Sequence, residues 1–264
     1  MIIDFHTHIF PDKIAQASMD ALSRNGHVEY CVPATKDSLL KTMEKCGVDK
    51  SVFLNVVTKE KQHENALIFS KELNSDRIIS FGSVEPESVH ALEYVWKFSD
   101  EGLKGMKLHP PLQKIDLDDR RNFPVFDLAR ALGLVLVVHA GYDFTFPAPP
   151  RASAAMIINV LKNFPGLKLV AAHMGGLRES REVLDSLAGK HDLYFDTAYT
   201  AAPWVDRALL LDIIRRHGAE RVLFGSDFPW HLPSMEIDMI EGLDISREEK
   251  DLILGGNAAR ILGL

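Results

Sequence analysis

The sequence predicts an α/β protein: a closed (β/α)₈ TIM barrel with a metal site at the C-terminal ends of its strands. Three observations lead there. Eight short apolar runs alternate with amphipathic helical stretches along the 264 residues. Most of these runs are apolar throughout, as strands covered on both faces are, rather than at every second position. From the second run on, strand starts recur about every thirty residues without a break in composition, so residues 1–264 read as a single domain. A doubly wound open sheet would show two halves and a Gly-rich dinucleotide loop, and neither is present.

The predicted strands are "MIIDFHTH" (1–8), "KSVFLNVV" (50–57), "RIISFGSV" (77–84), "GLKGMKLH" (102–109), "LVLVVHAG" (134–141), "LKLVAAHMG" (167–175), "DLYFDTAY" (192–199) and "RVLFGSDF" (221–228). Between them, "KDSLLKTMEKCG", "HENALIFSKELN", "ESVHALEYVWKFS", "FPVFDLARALG" and "SAAMIINVLKNFPG" carry helical spacing. Several of them stop on Gly or Asn. The first crossover is long, and residues 9–49 leave room for a small lid. The tail "GGNAARILGL" reads as a closing helix capped by Asn257.

In a barrel the strand C-termini carry the chemistry. The polar exceptions gather there: His6 and His8, Lys107 and His109, His139, His173, Asp196 and Asp227. Strand side chains alternate, so His6 and His8 share a face, with Asp4 one layer deeper on it. Two neutral imidazoles side by side make a poor core. Around a divalent cation they become ligands, and His6, His8, His139 and Asp227 form a nitrogen-and-carboxylate set for one ion. Zinc is the first expectation, with manganese or iron also fitting. Tyr142, Phe144, Phe146, Arg151, Tyr199, Trp230 and His231 fall on predicted mouth loops, with Phe146 and Arg151 in the stiff Pro-rich stretch "FPAPPRAS" (146–153). His27, His63, His90, His191 and His217 lie on helices or helix ends and read as solvated surface.

Composition narrows the function classes. The formal net charge is −7 with no offsetting basic cluster, which disfavours nucleic acid or an anionic membrane as partner. Two cysteines, Cys31 and Cys46, cannot form a disulfide framework or a four-thiolate zinc site. They fit a cytoplasmic protein, as does a start without a basic leader. No apolar run approaches a bilayer span.

"DFHTHIF", "GMKLHP", "VVHAG", "AAHMGG", "GSDFP" and "GNAARILGL", in this order and each at a predicted strand end or the tail, resemble the amidohydrolase superfamily. Within it they resemble the amidohydrolase-2 branch, which includes aminocarboxymuconate-semialdehyde decarboxylase and related aromatic-acid decarboxylases. The resemblance runs from residue 4 to 264. It implies His6, His8, His139 and Asp227 as metal ligands. It also implies His173 as the histidine that activates or orients metal-bound water, with Asp227 able to take the proton. In two-metal members a carboxylated lysine at the fourth strand bridges the ions, and Lys107 occupies that position. A single metal is preferred here, with Lys107 unmodified and holding an anionic substrate by charge.

The first functional expectation is a metal-dependent hydrolase. It would act on an amide, lactone or ester-like bond of a small anionic molecule, with His173 and Asp227 catalytic. Lys107, His109, Tyr142, Arg151 and Trp230 would contact the substrate. The alternative is a non-oxidative decarboxylase of an aromatic or unsaturated acid. It ranks second because no arginine is pinned to a strand end and the chain lacks long loop insertions. A non-catalytic binding barrel is the third reading, and it would predict missing metal ligands where none is missing. Barrels of this kind often pair, so a homodimer is also compatible.

Overall fold

The computed structural model describes residues 1–146 and 149–264. Residues 147 and 148, inside the Pro-rich loop expected to be stiff, lie outside the described residues. All eight predicted strands form: β1 (Ile3–Thr7), β2 (Lys50–Leu54), β3 (Ile78–Phe81), β4 (Gly105–Leu108), β5 (Val135–Val138), β6 (Leu169–Ala171), β7 (Tyr194–Asp196) and β8 (Val222–Leu223). Each is shorter than its apolar run. Burial, which an apolar pattern reports, continues past the hydrogen-bonded ladder into the loops.

Neighbouring strands pair in parallel from β1 to β3 and from β4 to β8. Two seams complete the ring. Gly82 pairs with Met106, and Lys107 N donates to Gly82 O at 2.8 Å. Thr7 pairs with Phe228, while Phe5 N donates to Phe224 O at 2.7 Å and Asp227 N donates to His6 O at 2.9 Å.

The surrounding helices are α1 (Asp12–Gly26), α2 (Lys36–Cys46), α3 (His63–Leu73), α4 (Ala91–Asp100), α5 (Pro110–Gln113), α6 (Phe123–Ala131), α7 (Ala154–Asn163), α8 (Ser180–Ser186), α9 (Arg207–His217), α10 (Pro233–Glu241), α11 (Arg247–Asp251) and α12 (Asn257–Leu262). Their stops and starts follow local chemistry. Thr35 caps α2 by accepting from Ser38 N at 3.2 Å, and Gly47 ends it in a left-handed conformation. Residues 9–49 hold α1 and α2. Among the described residues no helix is long and apolar enough to cross a membrane.

The core has two parts. Phe5, Val52, Phe81, Val135, Val137, Val170 and Leu223 fill the barrel, closed by Ala258 and Leu262 of α12. A larger layer, including Phe53, Met106, Leu136, Val138, Phe195 and Phe224, packs between strands and helices.

Strict alternation fails in β1. Its register with β2 shifts between Asp4 and Thr7, as a bulge does. Phe5 therefore packs inside the barrel, edge-on to Phe81 at 5.8 Å, and the next residue, His6, also turns inward to reach Lys107 and Asp196. Asp4 does not join His6 as expected. Its carboxylate accepts from Ser226 Oγ at 2.5 Å and Ser226 N at 2.9 Å, tying β1 to the chain beyond β8. Burial pushes the Asp4 carboxyl up to about 7 against these bonds.

Two further expectations change. His63 and His217 are buried rather than solvated. His63 Nε2 accepts from Glu85 N at 2.8 Å, and the His217 ring stacks on Phe195 at 4.0 Å with Nε2 donating to Leu193 O. Helical spacing marks an apolar face but does not show that an imidazole at its edge finds a backbone partner. His27 and His90 are exposed, and His191 is half-buried.

Asn257 makes no cap hydrogen bond for α12. Its Nδ2 donates to Ala219 O and Val222 O, both at 2.7 Å, which pins the closing helix to the start of β8. Asn257→Ala leaves buried carbonyls unpaired and is expected to cost ~2 kcal/mol, read as a lower urea midpoint. An unchanged midpoint would show that water replaces the amide.

Candidate metal centre

The predicted polar residues converge on one cavity of about 380 Å³ at the C-terminal mouth of the barrel. His6, His8, His109, His139, His173 and Asp227 line it, and so does Trp230. Three donors form a close group: His6, His8 and Asp227 offer ligand atoms all within 4.8 Å of one another. His6 Nε2 and His8 Nε2 are 3.1 Å apart, and Asp227 Oδ1 lies 3.5 and 3.4 Å from them. His139, expected in this set, falls outside it and groups with His109 and Asp143.

What lies behind each ring decides what it presents in front. His8 Nδ1 donates to Leu54 O at 2.9 Å, and a carbonyl can only accept. His6 Nδ1 donates to the Asp196 carboxylate at 2.8 Å. Both Nε2 atoms therefore carry lone pairs, and two lone pairs face each other at hydrogen-bond distance. The same holds opposite them. His173 Nδ1 donates to Ala198 O at 3.0 Å and His139 Nε2 donates to Tyr142 O at 2.9 Å, so His173 Nε2 and His139 Nδ1 meet as acceptors 3.0 Å apart. A cation relieves such repulsion, and the nitrogen-and-carboxylate set fits a divalent ion.

Charge and burial keep His6, His139 and His173 neutral. Burial, with nearby Lys107, pulls His139 down to about 4, and burial with His139 pulls His173 to about 4. Burial pushes His6 well below its usual value as well. Burial also brings Lys107 down to about 8, partly offset by Asp196 and Asp227.

Backbone geometry aims the groups. Asp227 sits in the left-handed region at φ 65° and His173 at φ 56°, uncommon conformations away from glycine. Gly225 is required because a Cβ there would lie 2.9 Å from His6 Cβ.

Not every expected contact residue reaches the cavity. Lys107 lies beneath His6, with Nζ 3.3 Å from its Nε2, and does not line the cavity. His109 stacks on His139 at 4.3 Å, and its Nε2 is 3.5 Å from Asp143 Oδ2. Tyr142 lines an outer hollow instead. Arg151 does not line either space, and it pairs with Asp116 at 2.9 Å. Asp143 went unpredicted because it sits on a loop where no periodicity applies. Its one sequence signal is its place two residues beyond the "HAG" strand end.

The family model described as amidohydrolase matches residues 3–264. The chain belongs to the amidohydrolase family, in its amidohydrolase-2 branch. A curated relative, 2-amino-3-carboxymuconate-6-semialdehyde decarboxylase of Dictyostelium discoideum, is 26% identical over 196 residues, covering 62% of this chain and 54% of that protein. This amidohydrolase thus spans about half the length of the relative it matches. Among solved structures, 5-carboxyvanillate decarboxylase from Sphingomonas paucimobilis superposes with TM-score 0.75 at 18% identity, over 100% of this chain and 99% of that one. Dihydroxybenzoic acid decarboxylase from Polaromonas sp. JS666, with bound manganese and 2-nitroresorcinol, gives 0.73 at 16%, over 100% and 97%. At these identities the superpositions establish the barrel fold. The curated relative is itself a decarboxylase, the activity named second in the sequence reading.

Two outcomes follow from the donor geometry. Asp196→Asn removes the carboxylate that holds the His6 tautomer, and metal affinity by calorimetric titration is expected to fall about 10–100-fold; unchanged affinity would mean that Asp196 does not orient the ligand. Secondly, His139, His173 and His217 are all held near 4 in the fold, against 6.5 for the free side chain. Between those values the unfolded chain binds more protons, so their contribution is complete above about pH 6.5 and erodes toward pH 4. Asp4 and Glu179, pushed up to about 7 by burial, act in the opposite sense over the same range, so the direct check is an NMR titration of metal-free protein: His139, His173 and His217 should gain no proton between pH 7 and pH 5, and a midpoint near 6.5 for any of them would contradict its neutral assignment.

Proposed function

We propose that this amidohydrolase is a metal-dependent decarboxylase of a small aromatic or conjugated carboxylic acid. The observation that carries the reading is the contrast within the cavity. Its ionisable groups cluster around the His6, His8 and Asp227 donors, and Phe10, Met19, Leu22, Val56, Leu112 and Trp230 supply apolar wall. A flat conjugated acid matches such a slot. Losing CO₂ removes a compact, well-hydrated charge, and a poorly hydrating wall favours that change. The 2-amino-3-carboxymuconate-6-semialdehyde decarboxylase relative supports the same chemistry.

In this reading His6, His8 and Asp227 hold the ion, and His139, facing His173 across the mouth, completes or supplements the set. Zinc suits these donors, as does manganese, the ion that the Polaromonas decarboxylase holds. When bound, the ion supplies Lewis acidity that fixes an acidic oxygen of the substrate. The bond to the carboxyl carbon breaks, its electron pair stays on the conjugated carbon, and a proton joins that carbon as CO₂ leaves. His173 is anchored through Nδ1 on Ala198 O, so its Nε2 can take up a proton and pass it on. Asp227 is the second proton carrier. His109 and Trp230 flank the substrate in this reading, and α1, whose Ser18, Met19 and Leu22 line the cavity, serves as a lid within residues 9–49. Cys31 and Cys46 are unpaired thiols, which supports a reducing compartment such as the cytoplasm.

Protein reconstituted with zinc or manganese should release CO₂ from one or more hydroxybenzoates or carboxymuconate-type acids. Asp227→Asn should cut that release by at least about 100-fold with an unchanged circular dichroism spectrum. Hydrolysis of amides or lactones with no CO₂ from any acid would overturn the proposal.

A further inference from the structure

Beyond the metal group the cavity opens into an outer hollow of about 450 Å³. The two spaces share Gly26, Val28, Asp143, Phe144, Leu177 and Tyr199 in their walls, so they adjoin. At the junction stand three rings from two loops. Phe144 follows β5, and Tyr199 and Trp204 follow β7. Phe144 lies 5.6 Å from Tyr199 and 6.3 Å from Trp204, and Tyr199 lies 6.3 Å from Trp204.

A fourth side chain, Arg178 from the loop after β6, lies on these rings. Its guanidinium carbon is 4.8 Å from the Phe144 centroid and 5.3 Å from that of Trp204. Among the described residues Arg178 has no carboxylate within 4.0 Å. What marks Arg178 is its place, over aromatic rings in the wall of the hollow that adjoins the metal group.

The collar is also braced. Tyr199 stacks on His231 at 4.0 Å, and the buried Glu236 holds His231 Nδ1 at 2.7 Å while accepting from Ala201 N and Thr200 Oγ1. Arg178 and Tyr199 both adopt left-handed backbone, at φ 62° and 66°. Strained conformations of this kind persist where the surroundings impose them, and they concentrate at functional sites.

A guanidinium lying over aromatic faces is weakly hydrated, and its N–H edge remains free for bidentate contact with a carboxylate. We propose that Arg178, seated on the Phe144–Tyr199–Trp204 collar, binds a second anionic group of the substrate, so that the preferred acid is a planar dicarboxylate held at both ends. This inference rests on the decarboxylase reading and deepens it. One carboxylate would lie at the histidine floor and the other at the collar. The sequence reading ranked decarboxylation second partly because no arginine stood at a strand end. The collar supplies that cation from a loop.

The test is equilibrium binding, by calorimetry, of benzoate, isophthalate and terephthalate to metal-loaded protein. At least one diacid is expected to bind about tenfold tighter than benzoate. Arg178→Gln should erase that advantage while leaving benzoate within about twofold, and Arg178→Lys should retain part of it. Neither diacid exceeding benzoate, or an advantage that survives in Arg178→Gln, would overturn the proposal. Melting temperatures of both variants verify that the fold is kept. Binding does not depend on turnover, so the two readings fail separately. CO₂ release from monoacids with no diacid preference sinks the collar alone, and diacid preference with no CO₂ release from any acid sinks the activity alone.

Discussion

Imidazole lone pairs forced to face each other are the constraint on which the rest of this structure depends. His6 and His8 meet at 3.1 Å, His139 and His173 at 3.0 Å, and each ring has committed its other nitrogen to a carbonyl or carboxylate behind it. The arrangement is held by parts that have no chemistry of their own. The Asp4–Ser226 pair ties β1 to the segment beyond β8. Gly225 leaves space for His6, and Asp196 binds His6 through one oxygen and the backbone of His173 and Ala198 through the other. The donors are preorganised by the barrel, which costs less on binding an ion than ordering them afterwards.

The mouth concentrates unfavourable local choices. His173, Met174, Arg178, Tyr199 and Asp227 all adopt left-handed backbone, and all lie on the loops that build the cavity and its entrance. Away from this end, interior apolar packing and paired strands accord with local preference. Such a division, a consistent scaffold carrying a strained site, is what is expected where function rather than stability selects the conformation. Lys107 shows the same logic in electrostatic form. Fully buried beneath His6 and flanked by Asp196 and Asp227, it adds positive charge under the metal group and helps keep the neighbouring imidazoles neutral.

From the floor outward, the cavity changes character in steps: imidazoles and carboxylates, then an apolar slot, then an aromatic collar carrying one cation. Each zone comes from a different set of loops. The floor rests on strand ends, the slot draws on α1 and the turn into α5, and the collar draws on the loops after β5, β6 and β7. Variation in the outer loops can therefore reshape the entrance without disturbing the histidine and carboxylate donors at the floor.

The sequence by itself determined the eight strands, their parallel barrel and the residues at the strand ends, because two-sided burial and polar interruptions are written in residue order. For that reason His6, His8, His173 and Asp227 could be placed at strand ends, and all four line one cavity. Only the tertiary structure decided which donors meet. β1 carries a bulge that alternation does not encode, so Asp4 left the site. His139 turned toward His173, while His63 and His217 found backbone partners inside. Arg151 and Arg178 are both loop arginines in the sequence. One is neutralised by Asp116 and the other lies free over Phe144 and Trp204. That difference depends on contacts between loops distant in the chain, and no local pattern records it.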